Sequence, residues 1–225
     1  MEVIRIFIGY DHRERAAVNV LIDSLYHNSS LPVSITPIML EQVKEVFQRE
    51  RDPLQSTAFS FSRFLVPYLC NYQGWALFMD CDILCRSDIA KLWALRDDQY
   101  SIMCTKHEHI PNETVKFMGE RQSAYPKKNW SSVMLFNCSR CQALTPEYVA
   151  TASGLDLHRF HWLEGDHLIG GISLEWNHLV DVQTGGEDAA MLHWTLGGPW
   201  FNDQRKSSYS GEWFAARDAM SRLYN

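Results

Sequence analysis

The chain has 225 residues, 46% of them apolar and 21% charged, enough to build a sizeable core in one domain. Its formal net charge of -6, with Lys127-Lys128 as the densest basic stretch, argues against a nucleic-acid surface. No apolar run approaches a bilayer span, and the opening Met-Glu-Val-Ile-Arg lacks the basic start and small-residue cleavage site of a secretory leader, so a cytoplasmic setting is expected.

Val3 to Ile8 reads as an apolar strand that breaks at Gly9-Tyr10-Asp11. Ala17, Val20, Leu21 and Leu25 then recur at helical spacing until Asn28-Ser29-Ser30 ends the segment. Val33 to Ile38 is a second strand, followed by a helix-like stretch with Val43, Val46 and Phe47 on one side. Strand, helix, strand, helix is the pattern of a parallel sheet with crossovers, and ligands of such sheets bind beyond the carboxyl ends of the strands. Tyr10 and Asp11 fall at that edge. Between residues 60 and 69, Phe61, Phe64, Leu65 and Tyr68 form a helical apolar stripe interrupted by Arg63. Arginine is seldom buried alone, so Arg63 either clamps a phosphate, holds a carboxylate or reaches out to solvent.

Trp75 to Met79 is a short apolar run suited to a strand buried on both faces, and it ends in Asp80 and Asp82. On extended backbone, residues i and i+2 share a side, so both carboxylates can address one point while Cys81 faces away. Such a pair suits a hard divalent cation that also binds phosphates; the same short motif also describes a turn capped by solvated acids. Tyr100 to Thr105 is the next strand. Residues 106 to 130, broken by Pro111, Gly119 and Pro126, read as a lid or binding loop. Ser132 to Asn137 is a strand, and Thr145-Pro146-Glu147 carries the start signals of a helix. The stretch from His161 to His167 crowds acids and histidines just before an apolar run. Ala189 to Trp194 is a strand leading into the tight Gly197-Gly198-Pro199-Trp200 loop, and a last helix spans roughly Glu212 to Leu223. The six cysteines are scattered, and Cys138-x-x-Cys141 has no second pair, so reduced buried thiols are expected. The aromatic content of 12%, with eight Trp, fits core packing and a cleft that stacks flat ligands.

Taken together, these segments resemble the family-8 glycosyltransferases, the GT-A-fold group that includes glycogenins and bacterial lipopolysaccharide galactosyltransferases. The resemblance runs from the first strand to about Trp200. The Gly9-Tyr10-Asp11 loop is similar to the family's nucleotide-binding start, and Ser62 to Leu69 resembles its Arg-containing helix. Phe78-Met79-Asp80-Cys81-Asp82-Ile83 with Asp88-Ile89 resembles the Asp-x-Asp segment and its trailing Asp-Ile. Ser132 to Asn137, Trp176-Asn177 and His193 to Trp200 resemble three further landmarks, in the family's order. Three departures stand out. Gly198 occupies the place of a diphosphate-contacting Lys, Trp130-Ser131-Ser132 replaces Asn-Ala-Gly, and Glu164-Gly165-Asp166 replaces Asp-Gln-Asp.

The resemblance implies an α/β fold: a GT-A, Rossmann-like domain with a mixed, mainly parallel sheet, residues 1–105 forming a nucleotide-binding half and 106–225 an acceptor-binding half. It implies transfer of a hexose from a nucleotide-diphosphate sugar, with UDP as the usual nucleotide, to an acceptor hydroxyl with retention. The acceptor is a glycan, a lipid-linked sugar or a small molecule. Mn or Mg would sit on Asp80, Asp82 and His193, since oxygen ligands plus one imidazole tip the choice toward Mn. Donor contacts are expected from Tyr10, Asp11, Arg63, Asp80, Cys81 and Asp82, and from Gly197 and Gly198 through their backbone N–H groups. Asp166 is either a helix cap or the group beside the anomeric carbon; Glu164 and Asp188 read as solvated acids. Two other classes remain open on sequence: a nucleotidyltransferase, whose Gly-rich first loop is missing here, and a catalytically inactive nucleotide-sugar-binding protein of the same fold.

Overall fold

In the computed structural model, which describes residues 1–51, 55–108 and 127–222, the opening apolar run forms β1 (Ile4–Gly9) with Ile4, Ile6 and Ile8 fully buried. A 3-10 turn leads into α1 (Arg15–His27), which buries Ala17, Val18, Val20, Leu21 and Leu25. β2 (Val33–Ile38) pairs parallel to β1 as the edge strand, which is where Pro37 costs no ladder hydrogen bond. The helix expected after it is a single turn, α2 (Leu40–Val43): Met39 at its start offers no capping side chain, and one unsupported turn does not propagate. The Arg63 stripe is likewise not one α-helix. It is a 3-10 turn (Ser62–Leu65) followed by α3 (Val66–Leu69), because Pro67 has no N–H to donate back to Arg63.

β3 (Trp75–Met79) lies between two neighbours in the sheet, which accounts for its unbroken apolar character. Two short elements follow that periodicity did not reveal, β4 (Ile83–Cys85) and α4 (Ile89–Trp93). The Asp88 carboxylate caps α4 through the N–H of Ala90 and also accepts from the N–H of Ser30, tying this turn to the end of α1. β5 (Ile102–Thr105) and β6 (Val133–Asn137) come where expected, and Thr145 caps α5 (Pro146–Thr151) through the N–H of Tyr148. Then come α6 (Gly154–His158), β7 (Ile169–Ile172), β8 (His178–Leu179), β9 (Met191–His193) and α7 (Ser210–Met220). Residues 109 to 126 of the expected binding loop, and Leu223 of the last helix, lie outside the described residues.

Six strands form the central sheet in the order β2-β1-β3-β6-β5-β7, parallel except for β6. A second sheet, β4-β9-β8, stands beyond the end of β3. α1 serves both. Val18, Leu21 and Leu25 join the main core, while Val20 joins Leu84, Leu192, Trp194 and Trp213 in a smaller one. All six cysteines are free and buried, and no helix among the described residues is long and apolar enough to cross a membrane.

The end of β1 passes hard against Phe59, which is itself 1% exposed: a Cβ at Gly9 would sit 2.2 Å from the ring. Gly9→Ala therefore forces a packed ring to move, at a cost of about 1–3 kcal/mol. A lowered urea midpoint is expected, and an unchanged one would show that Phe59 has room to yield.

Candidate functional site

The site grows from the way β3 ends. The N–H of Asp80 donates to Ser132 O at 2.9 Å, and two residues on the carbonyl of Asp82 accepts from the N–H of Trp194, also at 2.9 Å. The chain thereby leaves one sheet and enters the other, with Ile83 opposite His193 across the β4–β9 ladder. Asp80, Asp82 and His193 meet as a result, with one ligand atom from each lying within 4.8 Å of the others. His193 Nε2 is 3.2 Å from Asp82 Oδ1 and 4.0 Å from Asp80 Oδ2. The i, i+2 reading of the two acids holds in space.

The hydrogen bonds around His193 fix which ring nitrogen carries the proton. Asn177, fully buried, donates its amide to Asn129 O at 3.4 Å, which turns its carbonyl oxygen to His193 Nδ1 at 2.8 Å. A carbonyl only accepts, so Nδ1 carries a hydrogen, and Nε2, facing the two carboxylates, is the nitrogen left to take a proton or a cation. A lone pair facing carboxylate oxygen is repulsive unless a proton or a cation lies between them. Two carboxylates and an imidazole oriented by a carbonyl partner form a fitting donor set for Mn or Mg.

Arg63 holds a carboxylate and does not reach solvent. Only 5% exposed, it pairs with Asp80 Oδ1 at 2.8 Å and donates to Ser131 O at 2.8 Å, with the Phe59 and Phe78 rings each 5.2 Å away. Asp11 is similarly engaged. Its carboxylate, 4% exposed as a residue, accepts from Arg13 N, Arg13 Nε, an Arg13 terminal nitrogen and the N–H of Ala58, at 2.8 to 3.0 Å. Burial pushes the Asp11 carboxyl up, but the Arg13 and Ala58 hydrogen bonds outweigh it and hold the group below its ordinary 3.8. Tyr10 is half-buried and meets His12 edge-on at 5.2 Å.

The other expected donor contacts are placed less openly. Cys81 is fully buried in the core, facing away as alternation requires. Gly197 does need to be glycine, at φ 102, but its N–H is spent on Trp194 O at 2.8 Å and so is not offered to a ligand. Gly198 is the floor of the Trp200 ring, where a Cβ would come within 2.1 Å. Asp166 precedes β7, and β7 runs parallel to β5, so Asp166 enters from the amino edge of the sheet, opposite the edge that carries Asp80. Its side chain is 74% exposed and pairs with Lys127 Nζ at 2.5 Å.

Two site residues escaped the sequence reading. Glu14, 7% exposed, stands at the foot of α1. α1 lies along β4, with Asn28 and Ser24 bonded to Cys85 and Val20 packed with Leu84, which carries Glu14 toward Asp82. Burial pushes its carboxyl well above 4.5, reinforced by the negative charges of Asp82, Asp11 and Asp80. Nothing in the sequence around Glu14 distinguishes it from a solvated acid. His107, 5% exposed, stands just past β5; burial, then the neighbouring His193 and His178, push it down to about 4, so it is neutral at pH 7. One His among nine gives no periodic signal.

Comparison with known proteins gives a consistent result. The sequence profile of Glycosyl transferase family 8 matches residues 15–154. Protein CDI of Arabidopsis thaliana is 46% identical over 218 residues, which is 93% of this chain and 84% of that protein. Among solved structures the fold is similar to the WbbM bifunctional glycosyltransferase (TM-score 0.65, 13% identity, 96% of this chain) and to GlyE of Streptococcus pneumoniae (TM-score 0.62, 13%, 96%). This chain spans 49% of the former and 60% of the latter. It is also similar to the galactosyltransferase LgtC bound to donor and acceptor sugar analogs (TM-score 0.59, 11% identity), covering 99% of this chain and 98% of that one.

Arg63→Met removes the buried counter-charge of Asp80 and is expected to cost about 3–5 kcal/mol in urea unfolding. Arg63→Lys should recover only part of that: one guanidinium nitrogen meets both Asp80 and Ser131 O, and an ammonium placed there keeps the charge but loses the planar, weakly hydrated group that lies beside the Phe59 and Phe78 rings. Because the Asp11 carboxyl titrates lower when folded than when unfolded, its stabilisation is present above pH 3.8 and lost as pH falls through the folded value. Asp11→Asn should thus lose about 1–3 kcal/mol at pH 7, and the gap from wild type should narrow below pH 3.8 in a pH series of unfolding curves.

Proposed function

This chain belongs to glycosyltransferase family 8 and carries the GT-A fold of those enzymes, and from that premise we propose that it transfers a hexose from a nucleotide-diphosphate sugar to an acceptor hydroxyl. The observation that carries the proposal is the Asp80–Asp82–His193 cluster at the carboxyl edge of the parallel strands, where ligands of such sheets bind. Retention and a UDP donor are the outcomes favoured by the family resemblance.

Asp80, Asp82 and His193 would hold a divalent cation, Mn in preference to Mg because of the imidazole. When bound there, the cation neutralises the diphosphate that departs from the sugar. The chain's own residues prepare for this in three ways. Arg63 locks Asp80 in one orientation, so the carboxylate loses no freedom on binding. Asn177 keeps the lone pair of His193 Nε2 aimed at the cluster. Asp11 closes the Gly9–Arg13 loop, leaving the half-buried ring of Tyr10 at its rim as the surface for the nucleotide base.

Asp166, at the amino edge and paired with Lys127, is proposed to anchor the 127–130 turn, since Lys127 also donates to Arg159 O. The missing diphosphate lysine is not replaced by the Gly197 N–H, which is already bonded, so more of the phosphate charge falls to the cation. The six free, buried cysteines support a reducing compartment.

A thermal-shift panel of UDP-, GDP- and CMP-sugars with and without Mn tests this reading, because a ligand of the folded state raises the melting temperature by mass action. One nucleotide class should stabilise the protein, and Asp82→Asn and His193→Ala should each abolish the Mn-dependent part. Stabilisation by no donor, with or without metal, would overturn it.

A further inference from the structure

We infer that His107 is a sugar-reading residue: a neutral N–H donor that hydrogen-bonds a hydroxyl of the hexose carried by the nucleotide. The inference rests on the nucleotide-sugar reading above and adds a residue to it.

The argument begins with the backbone. After β5 the chain turns sharply, with the N–H of His107 donating to Thr105 O at 3.2 Å, and Trp130 Nε1 donates to His107 O at 2.9 Å. The ring is then oriented by Gln183. The N–H of Leu179 donates to Gln183 Oε1 at 2.8 Å, which leaves the amide nitrogen of Gln183 facing His107 Nδ1 at 3.4 Å. An amide nitrogen only donates, so Nδ1 accepts, and the proton of the neutral imidazole resides on Nε2. Gln183 is anchored to β8 at Leu179, the residue paired with His193 on β9, so the imidazole is held beside the metal-ligand cluster.

His107 Nε2 is buried and has no hydrogen-bond partner among the described residues. A buried N–H left without an acceptor is costly in the free protein, and an arriving oxygen recovers that cost. The sheet order suggests which oxygen. β5 is separated from β3 by β6, two strand spacings, roughly 10 Å to the side of the Asp80 strand. His107 is thus displaced sideways from the Asp80 strand yet held next to His193, so the group that would meet it is the sugar joined to a diphosphate at the cluster. A neutral donor also matches a neutral hydroxyl, whereas the diphosphate is matched by the cation.

Calorimetric titration of the wild type and of His107→Gln, His107→Asn and His107→Ala with UDP, UDP-glucose and UDP-galactose in Mn tests the assignment. Gln can put an amide nitrogen near the place of Nε2, and Asn only near that of Nδ1. UDP affinity should be unchanged throughout, which also reports that each variant is folded. Affinity for one UDP-sugar should fall about tenfold in His107→Asn and His107→Ala and recover to within about threefold of wild type in His107→Gln. Equal losses for UDP and UDP-sugar, or no loss in any variant, would overturn the assignment alone. A wild type that binds none of the three would overturn the UDP-sugar reading and the assignment with it.

Discussion

Four carboxyl groups converge on the carboxyl edge of a buried sheet, and the need to neutralise them organises everything around them. Like charges in a desolvated space raise one another's energy, so each requires its own remedy. Asp11 is saturated by Arg13 and the Ala58 N–H. Asp80 is matched by Arg63. Glu14 is held toward its protonated form by burial and by its neighbours. Asp82 is turned toward an imidazole lone pair, the arrangement that asks for a cation. These remedies differ in what they leave behind: three fix the scaffold, and the fourth creates an affinity.

The second sheet exists in the service of that fourth remedy. β9 adds only three residues, yet its antiparallel pairing with β4 sets His193 against the end of the Asp-x-Asp segment. β8 adds only two, and through Leu179 and Gln183 it sets the imidazole of His107. The small core beneath, in which Trp194 and Trp213 are almost fully buried, gives these short strands a foundation they could not build from backbone hydrogen bonds alone.

Legibility in the sequence followed periodicity. β1, α1, β2 and β3 were readable because each buries a face or stripe long enough to repeat. α2 and the Arg63 helix were over-read, since apolar spacing says nothing of a missing cap or of Pro67 four residues after Arg63. β4, β8 and α6 are too short to show a period. In the site, Asp80 and Asp82 were legible because their partnership is local, and His193 because it ends a strand before a Gly-Gly loop. Glu14, His107 and Gln183 were not, because their roles depend on which strands lie side by side. Asp166 shows how strand direction escapes a linear reading: it directly precedes β7, which runs parallel to β5, and this places its backbone at the amino end of that strand.

The β4–β9 ladder has a consequence for how the protein comes into being. It joins Ile83 to His193, so the ends of a very long loop must meet before either strand gains a partner. Contacts of such sequence separation form slowly and late, whereas β1 and β2, joined through α1, pair within a short stretch of chain. A chain still emerging from the ribosome can therefore fold the β1–α1–β2 unit while His193 has yet to be synthesised. Until it arrives, Asp80 and Asp82 are a pair without their imidazole. The Asp80–Asp82–His193 set is complete only once β9 has been made and has paired with β4, so a cation that needed all three side chains would report that this late pairing has formed.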